Sequence, residues 1–135
     1  MSEMLLTKEG VVQFLQRFDE LVGKEQFGLI QDMIHEQAFF RLHDGDHVGR
    51  PAIRTVLERS WQGSSGLKRD RFFLSEIHVL TLDDRSATVT FTYNWEGSMG
   101  AHAFSLQGRG TRAVTVVNGQ LQLIHEHLSH FPQLE

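Results

Sequence analysis

The 135-residue chain contains no cysteine, which removes disulfide frameworks, thiolate chemistry and cysteine-ligated zinc from consideration. Any metal would need histidine and carboxylate ligands. An excess of positive charge is missing too. Thirteen Lys and Arg stand against seventeen Asp and Glu, a formal charge of −4, and the signs are interspersed, so neither nucleic acid nor a membrane surface is an expected partner. No apolar run approaches the roughly 18 residues of a membrane-spanning helix, and Met1 to Leu6 lacks a basic segment leading into an apolar one. A cytoplasmic protein is the default expectation. There is no internal repeat, and the Gly-Ser stretch at 63–66 is too short for a domain linker. With 40% apolar residues, one domain over 1–135 can bury roughly two thirds of its unfolded surface.

What is present divides into a helical half and a sheet half. Thr7 is an N-cap candidate, after which Val11, Phe14, Leu15, Phe18, Leu21 and Val22 share one helical face. Gly23 suits a left-handed stop. Residues 25–33 allow a short second helix, and Glu36 to His43 reads as a strand ended by the turn formers Asp44-Gly45-Asp46. Pro51 suits the first turn of a third helix, with Ile53, Val56, Leu57 and Trp61 on one face. From Lys68 the period changes to two. Arg71 to Thr81 carries apolar residues at both parities, which predicts a strand covered on both faces. Asp83 to Ser86 turns the chain. Ala87, Val89, Phe91, Tyr93 and Trp95 then alternate with Thr88, Thr90, Thr92, Asn94 and Glu96. Gly97-Ser98-Met99-Gly100 turns the chain into a long strand to Val117, where Gly108 and Gly110 are candidates for a bulge or bend. Asn118-Gly119 is a strong hairpin signal.

The last strand organises the rest. A strict period of two from Leu121 sends Leu123, His125, His127 and Ser129 to the same face, with Gln122, Ile124, Glu126 and Leu128 on the other. Apolar residues giving way to two imidazoles and a hydroxyl suggest a pocket floor. Helices followed by a meander of long strands argue for α+β: a curved antiparallel sheet wrapped around N-terminal helices, leaving an apolar cavity at the open end of a cone.

Gly49-Arg50-Pro51-Ala52-Ile53-Arg54, Gly108-Arg109-Gly110-Thr111-Arg112 and the Asn-Gly hairpin leading into His125-Glu126-His127-Leu128-Ser129 resemble the SnoaL-like branch of the nuclear transport factor 2 superfamily. The ending is particularly similar to the association domain of calcium/calmodulin-dependent protein kinase II, with Leu121 where that family has tryptophan. The resemblance implies a cystatin-like cone, a homodimer through the outer face of the sheet, and a small-molecule pocket between sheet and helices. It does not carry ketosteroid isomerase chemistry over. Phe39-Phe40 stands near the place of that enzyme's aspartate base, and the only tyrosine, Tyr93, lies on a late strand instead of the first helix.

His125 and His127, about 7 Å apart on one strand face, could move protons or hold a ligand, or could be satisfied core histidines. His-x-His is also a zinc spacing, but no third ligand can be placed; His43, His47 and His102 are candidates, and no metal or other cofactor is expected. The resemblance puts Arg112 in the pocket, where it could clamp a carboxylate or phosphate; the alternative is a structural ion pair with Glu96 or Glu126. Tyr93, Trp95 and Trp61 are candidates for pocket walls, with His43 beside them, and Phe91 and Phe104 for core. The expected function is binding of a small, partly apolar, anionic organic molecule by a homodimer. The alternatives are an isomerase, cyclase or dehydratase using the His pair, and an oligomerisation module.

Overall fold

The computed structural model describes residues 6–62 and 67–131; the Gly-Ser stretch at 63–66 lies outside them. Helix α1 spans Lys8–Val22, and Thr7 caps it, its hydroxyl oxygen accepting from the Gly10 amide at 3.0 Å. Gly23 is not the left-handed stop: it stays helical at φ −62°, and the chain reverses hand at Glu25, φ 56°. Two single 3-10 turns, Phe27–Leu29 and Gln31–Met33, replace the expected second helix. They bury Phe27 and Ile30 without an extended apolar face.

Strand β1 (Ile34–Leu42) turns at His43-Asp44 into β2 (Gly45–Val48), a short edge strand where a turn alone was expected. Helix α2 runs over Arg50–Gln62. The Gly49-Arg50-Pro51-Ala52-Ile53 segment builds its start. Gly49 adopts φ 89°, its amide donates to the Ala38 carbonyl, and its own carbonyl accepts from Ile53 N. Arg50 ties the helix to β1 through Nε and Nη2 donating to the Ile34 carbonyl.

Then come β3 (Leu67–Leu82), β4 (Ser86–Met99), β5 (His102–Val117) and β6 (Gln120–His130). The sheet is a single curved, unclosed one in the order β2-β1-β6-β5-β4-β3. It is mixed rather than wholly antiparallel, because β1 pairs parallel to β6. Asn118 and Gly119, at φ 51° and 78°, make the tight turn into β6.

Irregularities in register decide which residues face inward. Strand β3 gains one residue on β4 at each of three places, between Arg69 and Arg71, Ser75 and His78, and Val79 and Thr81. Glu76 takes φ 50° in the second. Phe72 and Leu74 therefore share the concave face with Ile77 and Val79 despite their opposite parity, and all four pack into the core. The mixed parity reflects bulges, not a strand covered on both sides. Gly108 and Gly110 sit in unbroken register with β4 and β6, so neither is a bulge. They are small because the rings of Tyr93 and Phe91 lie where a Cβ would stand. The concave face packs on α1 through Val11, Leu15 and Phe18, all buried.

Candidate functional site

Between the concave sheet face, α1 and α2 lies a cavity of about 810 Å³, reaching from Arg112 and Glu126 at its floor past Phe72, Tyr93 and Leu128 to Trp61, Trp95, His43 and His130. A second depression of about 460 Å³ beside the start of α1 is lined mainly by apolar side chains, with Asp32 as its charged residue.

The floor is an ion triad. Arg112 leaves β5 between the rings of Phe18 and Phe91, its Cζ 5.3 and 5.1 Å from their centroids. Nη1 and Nη2 donate to the two carboxylate oxygens of Asp19 at 3.1 and 2.8 Å, and Nε donates to Glu126 Oε1 at 2.7 Å. All three are buried, Arg112 to 2% exposure and both acids to 5%. Burial pushes the Asp19 carboxyl up, against the pull of Arg112. The two carboxylates hold the guanidinium proton far more tightly than water would, overcoming its desolvation. Arg112 therefore lines the cavity as a fully paired group, and of the two ion-pair partners expected it takes Glu126, not Glu96. Its second partner, Asp19, was not anticipated. The signal was there: Asp19 falls on the same i, i+4, i+8 row of α1 as the buried Val11 and Leu15.

His125 and His127 do not line the cavity. Across β5, Leu123 opposes Val114 and His125 opposes Ala113, so Ile124 is an extra residue in β6. That single bulge reverses the parity of the rest of the strand. Leu121 and Leu123 face inward before it; Glu126, Leu128 and His130 face inward after it, opposite Arg112, Gly110 and Gly108. His125 packs against Phe39 on the outer side and its Nδ1–H donates to the Phe39 carbonyl at 2.7 Å. His127 is exposed beside Arg41 of β1. No group of three or more metal-capable side chains gathers around either among the described residues.

The imidazole that reaches the cavity is His130. Its Nδ1 and the Tyr93 hydroxyl share a hydrogen bond of 2.7 Å, and its ring stacks on His43 at 3.6 Å with planes 8° apart. Burial, then the neighbouring His130, lowers the His43 pKa, and burial raises that of the Tyr93 hydroxyl. Tyr93 therefore stays a phenol, whose hydroxyl can donate to or accept from the ring nitrogen according to the tautomer. Tyr93, Trp95, Trp61 and His43 all border the cavity. Trp95 is braced edge-on by Phe104 at 5.0 Å and faced by Arg69, whose Nη2 donates to the Ser60 carbonyl at the end of α2. His130 went unread because it belongs to the strand's outer parity until the bulge is counted.

No family model matches the sequence, and no curated protein does. Solved structures do. A protein of unknown function with a cystatin-like fold from Nostoc punctiforme superposes with TM-score 0.78 at 16% identity, covering 97% of this chain and 98% of that one. A nuclear transport factor 2-like protein from Cytophaga hutchinsonii gives 0.74 at 10%, covering 93% and 100%. A Xanthomonas campestris protein provisionally described as a calcium/calmodulin-dependent protein kinase II association domain gives 0.78 at 16%, covering 99% and 95%. The chain thus has the α+β, cystatin-like fold of the nuclear transport factor 2-like proteins. At these identities the likeness is one of fold, on which many chemistries are built.

Proposed function

We propose that this protein binds a small, partly apolar organic molecule in its cone and does so as a homodimer. One observation carries the reading: an open cavity of about 810 Å³ with aromatic walls and a few converging polar groups, the size and character of small-molecule sites. Trp61, Trp95 and Tyr93 supply wall, and His43, His130 and the Arg112 triad supply polarity. His125 and His127, on the other side of the sheet, have no part in it. Both helices lie on the concave side, so the outer face, with Phe73, the threonine row of β4 and the Asn94–Gln107 hydrogen bond, is free to pair with a second copy.

A catalytic version has a specific observation in its favour. The hydrogen-bonded Tyr93–His130 pair borders the same cavity as the buried Asp19, and such groups can exchange protons with a substrate. An isomerase, cyclase or dehydratase of this shape would use these residues rather than the outer His pair.

Native mass spectrometry of the protein purified from cells tests the reading. A dimer carrying an additional small organic mass is the expected spectrum. A larger assembly with nothing bound would overturn it in favour of an oligomerisation module.

A further inference from the structure

The charge of the cavity floor points to a ligand opposite in sign to the one Arg112 suggested from sequence. Arg112 contributes one positive charge and is committed on both sides, to the whole carboxylate of Asp19 and to Oε1 of Glu126. With both Asp19 oxygens accepting from Arg112, two carboxylates share one guanidinium, and above the raised pKa of Asp19 this desolvated site carries an excess of one negative charge. Glu126 Oε2 has no hydrogen-bond partner among the described residues, although the side chain is more than nine-tenths buried. No side-chain polar atom there is both sealed and unpartnered, so this oxygen is reached through the cavity that Glu126 lines.

The cations nearer the mouth are occupied as well. Arg69 is held by the Ser60 carbonyl and Glu25, and Arg71, its guanidinium stacked 3.9 Å over Phe73, shares the cavity lining with Glu20, Glu25 and Asp70. An entering anion would meet Arg112 paired at the floor, Arg69 held at the mouth, a lining in which acids outnumber arginines, and an unpaired carboxylate oxygen. An entering cation would meet that oxygen in a cavity also lined by Phe72, Tyr93 and Trp61, a setting that favours ammonium groups.

We infer that the cavity selects a protonated primary or secondary amine on an apolar body, its N–H donating to Glu126 Oε2 and its body lying against Phe72, Tyr93 and Trp61. This rests on the cavity being a binding site, and deepens that reading by naming the class of ligand. A metal ion is a poorer match, since the Arg112 guanidinium already occupies the space between the two carboxylates.

The test uses three probes of one size and differing charge: benzylamine, benzyl alcohol and benzoate at pH 7. The only two tryptophans of the chain, Trp61 and Trp95, both border the cavity, so intrinsic fluorescence reports occupancy. Benzylamine is expected to bind about tenfold more tightly than the alcohol, and benzoate most weakly. Glu126→Gln keeps an acceptor for Arg112 Nε and neutralises the excess charge; it should bring the amine's affinity down to about that of the alcohol. If that variant does not fold, Asp19→Asn removes the same charge from α1. Alcohol or benzoate binding as tightly as the amine would overturn the charge selection and leave the cavity a binding site. No response to any of the three at millimolar concentration would overturn both.

Discussion

At the scale of single residues, Arg112 is the side chain on which most depends. It is sealed between two phenyl rings and satisfies two acids, one on the following strand and one on the distant α1. Arg112→Met would strand two buried carboxylates, and breaking a buried pair from one side costs about 3–5 kcal/mol. Urea denaturation should show a loss of that size, well beyond the loss for an exposed pair such as Arg54–Glu58. Gly108 is a second such point. A methyl group there meets the Tyr93 ring and the Ser129 carbonyl, and the second is backbone that cannot step aside. Gly108→Ala should cost about 1–3 kcal/mol and part Tyr93 from His130. Thermal unfolding, with tyrosine absorbance near 295 nm against pH, would register both effects.

At the scale of elements, the bulge at Ile124 decides more than any strand length. Deleting Ile124 would restore a strict period of two through β6. With Ile124 gone, Leu123 would still oppose Val114 and His125 would follow opposite Ala113, so Glu126 stays inward against Arg112 and His125 outward. A native-like near-ultraviolet circular dichroism spectrum is the expected outcome; its loss would show that the register beyond Ile124 is not set by the one extra residue alone. Helix α1 offers a gentler check. Thr7→Ala removes the cap on the Gly10 amide and should cost about 1 kcal/mol, read from the urea midpoint.

At the scale of the whole molecule, stability against pH sums contributions of opposite sign. Asp19 is raised above its ordinary value of 3.8, so the folded protein binds this proton more tightly than the unfolded chain does. Its effect is a loss of stability as pH rises from about 3.8 to the raised folded value. His43 is lowered from 6.5, so here the unfolded chain binds the proton more tightly, and stability is lost as pH falls below that value. Urea midpoints across pH 4–7 should show Asp19→Asn gaining on the natural protein as pH rises, and His43→Gln gaining as pH falls. A parallel offset at every pH would mean that neither group titrates differently on folding.

Local information sufficed where a signal is completed by its neighbours. Thr7 capping, the face of α2, the clean alternation of β4 and the Asn118-Gly119 turn depend on residues within a few positions of one another, and the α+β cone follows from their order. The site obeyed other rules. Whether residue 126 or residue 127 faces the cavity turns on one extra residue in β6, and a bulge is set by how β5 and β1 pair with it, not by the strand's own pattern. Asp19 and Arg112 are 93 positions apart, and Arg112 is neutralised only because α1 packs across the sheet. Sequence alone pointed to a cone with tryptophan and tyrosine near its open end and an arginine inside it. The tertiary structure decided which of them meet. Side-chain direction alternates at every strand residue, so one unpaired position inverts it, and only the folded sheet contains that position's partner.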